Sequence, residues 1–167
     1  MVMVNALDSV DKDETVPRIQ VIVTGRGPQK ALYEQIFCNR NSEWTKTNIR
    51  QAWLEVDDYP KVVGSCDLGI CLHTSSSGYD LPMKVVDMFS AGLPCLAIGG
   101  YPSVGELVKA GDNTSAYGRL FSSSEELAQQ MAETLRGFDQ TDETGGTETL
   151  RTWRQNLKEF SKKENSW

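Results

Sequence analysis

The chain has 167 residues, enough for one domain with a real core and too few for two full ones. Its formal net charge of -6 at pH 7 argues against a nucleic-acid partner, which calls for basic patches, and gives no polybasic membrane surface. No apolar run approaches the roughly 20 residues that span a bilayer, and Met1 to Val10 has neither the basic flank nor the length of a signal peptide, so the chain is expected to be soluble and cytoplasmic.

Met1 to Leu7 is apolar and is expected to be a helix end, with the acidic Asp8 to Glu14 following it. Arg18 to Thr24, rich in Val and Ile, predicts a buried strand. The turn Gly25 to Pro28 then leads into a helix over Ala31 to Phe37. Gly25 and Gly27 either let the backbone approach a ligand or simply make a tight turn. Asn39 to Lys46 is polar and predicts a loop, and Asn48 to Leu54 a strand whose Trp53 is expected in the core. Asp57 or Asp58 is the expected N-cap of a short helix ending at Gly64.

Cys66 to Leu72 is a short apolar run without alternation, which suits a strand buried on both faces. It breaks into the polar turn His73, Thr74, Ser75, Ser76, Ser77 and Gly78. Pro82 fits the first turn of a helix, and Gly92 with Pro94 fits its end, so a helix is predicted from Pro82 to Ala91. On that segment Val85, Met88 and Phe89 share one side, and Asp80, Lys84 and Asp87 another. A hydroxyl-rich turn between a buried strand and a helix N-terminus offers amides and a positive dipole end to a phosphate, with Lys84 as counter-charge. Asp87, one turn further on, is an acceptor suited to both hydroxyls of a ribose. The plainer alternative is that Ser75 to Ser77 cap the helix and Asp87 is a solvated charge.

Beyond this unit, Pro94 to Ile98 predicts a strand, Val104 to Ala110 a short helix, and Tyr117 to Phe121 a last strand. Ser122 to Glu125 has the pattern of a capping box before a helix running to about Gly137, with Leu127, Met131 and Leu135 as its buried stripe. Asp139 to Thr149 is expected to be a mobile linker and Leu150 to Lys163 a final polar helix. Five strands alternating with helices call for an α/β, Rossmann-like parallel sheet covered on both faces, with any ligand at the carboxyl ends of the strands. Cys38, Cys66, Cys71 and Cys95 contain no C-x-x-C pair and are expected as free thiols. The thiols are expected to be buried, and with the lone His73 they have no familiar metal-ligand spacing, so no metal is expected.

These strings carry a resemblance. Leu72 to Pro94, Val23 to Pro28, Trp53 to Pro60, Ser65 to Leu72, Glu106 to Lys109, Ser124 to Ala128 and the closing Ser166 and Trp167 resemble the chitobiosyldiphosphodolichol beta-mannosyltransferases, and more loosely the retaining GT-B glycosyltransferases. The first of these families adds the first mannose to the dolichol-linked N-glycan precursor. The resemblance implies one half of a GT-B fold, the C-terminal donor-binding domain. Residues 15-138 would be the nucleotide-sugar-binding domain, 139-149 a linker and 150-167 a C-terminal helix. It implies GDP-mannose as donor, no further cofactor, and a dolichol-linked acceptor held by a domain this chain lacks. It also implies other N-glycan assembly glycosyltransferases as partners, at the cytosolic face of the endoplasmic reticulum membrane.

By the same resemblance Gly25, Gly27, Leu54, His73, Ser75, Ser76, Ser77, Gly78 and Asp87 bind the donor, Trp53 and Glu55 lie in the segment that contacts the base, and Asp80 and Lys84 are the catalytic candidates. Related GT-B families span this helix with paired glutamates. Here the acids are Asp80 and Asp87, one residue closer together. Two readings of a different kind stand beside the enzyme: a truncated paralogue that acts as a nucleotide-sugar-binding or interaction module, and a fragment with no role of its own.

Overall fold

The computed structural model describes residues 1–25, 27–75, 77–108, 116–138 and 146–164. In chain order the elements are α1 (Val2–Lys12), β1 (Ile19–Thr24), α2 (Lys30–Glu43), β2 (Thr47–Ala52), α3 (Tyr59–Gly64) and β3 (Gly69–Cys71). They continue with α4 (Met83–Ser90), β4 (Cys95–Ile98), α5 (Pro102–Val108), β5 (Gly118–Phe121), α6 (Ser124–Leu135) and α7 (Glu148–Glu164). The fold is α/β and Rossmann-like, and every strand pair is parallel.

The ladders form two small sheets, β1-β2 and β3-β4-β5, where one five-stranded sheet was expected. β3 is only three residues long, and its ladder runs to β4. The two sheets nevertheless share one core. Ile19, Val21, Val23 and Ile49 pack into the same apolar cluster as Ile70, Leu96 and Phe121.

β4 shows why a buried parallel strand carries no polar alternation. Its Leu96 and Ile98 enter that cluster, while Cys95 and Ala97 on the opposite face enter a second one, with Val85 of α4 and Val104 and Val108 of α5. β1 departs from the expected two-sided burial: Val21 and Val23 face the core, but Ile22 is 41% exposed. The helix that returns the chain from β2 to β3 is α3, with six residues. At 1.5 Å per residue it is roughly 9 Å long, too short to roof strands of about 20 Å.

The first helix runs on to Lys12, through the acidic stretch expected to follow it, because Val4, Leu7 and Val10 continue the buried stripe. Asp11 is buried with them and accepts the amides of Thr45, Lys46 and Thr47, so this acid has a structural use. α2 extends to Glu43 through residues expected to be loop, with Asn41 bonded both ways to Ile49 of β2.

On α6 the buried stripe Leu127, Met131 and Leu135 is as expected and packs in one cluster with Val4, Leu7 and Val10 of α1. Its cap is displaced by one residue from the expected Ser122 to Glu125. Ser123 Oγ accepts the Glu126 amide, and the Glu126 carboxylate reaches back to the amide and hydroxyl of Ser122.

Of the expected linker, residues 139–145 lie outside the described residues. Thr147 is ordered: its hydroxyl donates to the Thr134 carbonyl and accepts the Leu150 amide, starting α7 at Glu148. Trp153 and Leu157 are buried, and the Phe160 ring lies 5.6 Å from that of Tyr117.

Candidate functional site

Parallel strands put their carboxyl ends on one edge of each sheet, and the candidate residues divide between those edges. At the first edge Thr24 pairs with Ala52, and the turn after β1 is tied to β2. The Gly25 amide donates to the Ala52 carbonyl at 3.4 Å, and Gln51 Nε2 donates to the Gly25 carbonyl at 3.3 Å. Gly25 has φ +131°, a conformation that favours glycine, and a Cβ there or at Gly27 would meet open space. The turn is therefore both a backbone necessity and an open surface.

Trp53 is a correction to the sequence reading. β2 stops at Ala52, and the indole is 53% exposed where a core position was expected. The strand ends one residue before the ring, so alternation no longer directs it inward. Leu54 is half-buried and Glu55 is exposed. The Glu55 carbonyl accepts the amides of Asp58 and Tyr59, and Asp58 occupies the N-cap of α3 without a side-chain cap bond, pairing instead with Lys61.

At the second edge β3 ends at Cys71, and 72–75 and 77–82 lead into α4 without helix or strand. Ser76 lies outside the described residues. Ser75 and Ser77 do not cap α4, whose N-cap is Pro82 with no side-chain bond. Their partner is Asp80: Ser75 Oγ donates to one carboxylate oxygen at 3.1 Å and Ser77 Oγ to the other at 2.7 Å. The same hydroxyls accept the amides of Gly78, Tyr79 and Asp80. The loop is a knot of hydroxyls, amides and one carboxylate. An anion entering it would compete with Asp80 for the serine hydroxyls.

Lys84 and Asp87 are exposed on α4. Burial pushes the Cys71 thiol up, while the bond from the His73 backbone and the Lys84 charge oppose that rise, which places the ammonium near the end of β3. Burial, and after it the charge of Asp87, push the Tyr59 phenol at the start of α3 up. His73 is exposed, with its ring edge-on to Tyr101 at 6.3 Å.

Sequence reasoning missed Gln51, Tyr59 and Tyr101. Tyr101 carried a signal, since it follows Gly99 and Gly100 directly after a buried strand, much as Gly25 and Gly27 follow the first. The thiols Cys38, Cys66, Cys71 and Cys95 are free, with Cys38 exposed. Among the described residues no cluster of His, Cys, Asp or Glu could hold a metal ion, and no helix is long and apolar enough to cross a membrane. A groove of about 700 Å³ lies at the amino ends of β1 and β2 instead, between Asp8, Asp11, Arg40 and Trp44. Its groups are engaged with one another: Arg40 pairs with Asp8, and the Trp44 indole donates to the same carboxylate.

No family model matches the chain. Over 122 residues, 73% of the chain, it is 50% identical to a protein of Arabidopsis thaliana named UDP-glycosyltransferase TURAN, 25% of which is covered. It is 47% identical over 117 residues to a chitobiosyldiphosphodolichol beta-mannosyltransferase of Eremothecium gossypii, covering 70% of the chain and 23% of the relative. With the human protein of the same name it shares 41% identity over 144 residues, 86% of the chain and 28% of the relative. The chain thus spans about a quarter of the length of these relatives.

Proposed function

We propose, for a chain homologous to a segment of the chitobiosyldiphosphodolichol beta-mannosyltransferases, that it is the C-terminal, GDP-mannose-binding part of a beta-1,4-mannosyltransferase acting on dolichol-diphosphate-linked chitobiose. The observation that carries this reading is the 41–47% identity to relatives of that name over 70–86% of the chain. The donor would lie along the two carboxyl edges, with its diphosphate at the loop of His73, Ser75, Ser77 and Gly78 and its ribose at Asp87. Gly25, Gly27 and Leu54 would border the nucleoside.

Transfer with inversion needs a base for the acceptor hydroxyl and positive charge on the departing diphosphate. Lys84 and the amino end of α4 supply the second without a metal or other cofactor. Asp80 is the acid closest to the loop, and its bonds to Ser75 and Ser77 must loosen if it takes the proton. The acceptor would be bound by the part of the relatives that this chain does not match, at the cytosolic face of the endoplasmic reticulum and among the other N-glycan assembly glycosyltransferases.

Asp87 gives the test. As a charged acceptor for ribose hydroxyls it should contribute about 1.5–3 kcal/mol to nucleotide binding, a loss of roughly ten- to a hundredfold in Asp87→Ala. Calorimetry should show that loss with the melting temperature unchanged. Unchanged GDP affinity with a lowered melting temperature would make Asp87 a structural residue of α4.

A second reading is favoured by the name of the Arabidopsis relative, a UDP-glycosyltransferase, which points to a UDP-sugar as donor. The two readings share the same edges and differ in the base they select.

A further inference from the structure

We propose that Tyr101 is a positioning residue for His73, holding the entry of the 73–80 loop to the body of the domain. The proposal rests on the donor reading of that loop. The bonds of Ser75 and Ser77 to Asp80 and to the amides of 78–80 give the loop its shape, but they are internal to it and do not attach it to the sheet. Tyr101 comes from the neighbouring strand's turn, where Gly99 is pinned by its amide to the Phe121 carbonyl at 2.8 Å and Gly100, at φ +114°, redirects the chain into α5. The Tyr101 side chain is 7% exposed and packs in the cluster of Cys71, Val85, Val104 and Val108, so its ring has a rigid seat.

From that seat it makes two contacts with one residue. Its hydroxyl donates to the His73 carbonyl at 3.4 Å, and its ring meets the His73 imidazole edge-on, at 86°. A buried tyrosine hydroxyl always seeks an acceptor, and a carbonyl alone would satisfy it. The ring contact to the same residue is what packing alone does not require. The two contacts together fix both the backbone and the imidazole of the second residue after β3, where the strand ladder has ended. The phenol is pushed up by burial, and further by the Cys71 and Asp80 charges. A nucleoside diphosphate bound at the loop would meet an imidazole already oriented, and the ordering cost of the loop would be met before the ligand arrives.

The chain has a single histidine, so its imidazole proton resonances report His73 without assignment by mutation. The experiment compares wild type, Tyr101→Phe and Tyr101→Leu, reading those resonances and the calorimetric affinity for GDP. Phe keeps the ring and the core volume and removes only the hydroxyl. Leu removes the ring contact as well. The expected result is an imidazole shift in the ligand-free Leu variant and a GDP affinity lowered about threefold in Phe and about tenfold in Leu. If the Leu variant does not fold, the Phe variant decides alone by its affinity. Wild-type GDP affinity in the folded variants would overturn the proposal while leaving the donor reading intact. No GDP binding by the wild-type chain would overturn both, and the two failures are told apart by that first titration.

Discussion

Gly118→Ala is expected to yield no folded protein. Gly118 opens β5 opposite Cys95 of β4, and a Cβ at that position would land on the Cys95 carbonyl oxygen, with the Cys95 carbonyl carbon 2.8 Å away and its amide nitrogen 3.2 Å away. These are backbone atoms of a strand buried on both faces, so neither strand can yield without opening the β4-β5 ladder. The cost belongs to the exceptional class of about 4 kcal/mol or more, comparable with the whole stability of many domains. Gly69→Ala is the control. Its added methyl meets the Met88 sulfur at 2.5 Å, the flexible end of a side chain that can swing away, and the Cys95 Cβ at 3.3 Å, so a cost of about 1–3 kcal/mol is expected, below that of Gly118→Ala. Expression and circular dichroism of the two variants check the contrast, and a folded Gly118→Ala chain would contradict the close approach of β4 and β5.

Asp11→Ala is expected to cost about 3 kcal/mol, because it leaves the amides of Thr45, Lys46 and Thr47 without their shared acceptor at the entry to β2. Burial raises the Asp11 carboxyl, but the hydrogen bonds from those amides outweigh it and bring it from 3.8 to about 2. A group depressed in the folded state contributes stability above its unfolded value and loses it as pH falls through the folded one. The contribution, about 2.5 kcal/mol, is therefore complete above about pH 4 and disappears on approach to pH 2. Other carboxylates also titrate in that window, so the measurement is the difference in unfolding free energy between wild type and Asp11→Asn across pH 2 to 5. It should shrink towards low pH, and a difference independent of pH would show that the Asp11 charge is not what holds the turn.

The sequence carried the elements that a single physical rule dictates. The α6 stripe at Leu127, Met131 and Leu135 is periodic and is buried as expected, and the apolar run of β4 forms a strand where one was expected. Positions that depend on a partner distant in sequence were not legible. Asp11 stood out in no way from the acidic run Asp8 to Glu14, because its three amides lie over thirty residues away. Trp53 looked like core because large aromatics usually are, and nothing local says that β2 ends at Ala52. From sequence, Ser75 and Ser77 read as phosphate ligands or, in the plainer alternative, as caps of the helix, and they do not cap α4. The partner is Asp80, close in sequence, but a pairing among side chains of a turn leaves no periodic trace. Likewise Tyr101 reaches His73 only because β3 and β4 are neighbours, a fact of topology.

The proposal that this chain is a donor-binding part of a mannosyltransferase meets its most direct test in paired titrations of the purified chain with GDP, GDP-mannose, UDP and UDP-glucose under one buffer condition. The account predicts binding of GDP and GDP-mannose, with the uridine compounds weaker by at least about tenfold. Equal or tighter binding of UDP-glucose would contradict it in favour of the UDP-sugar reading, and no heat with any of the four would leave the carboxyl edges without a nucleotide.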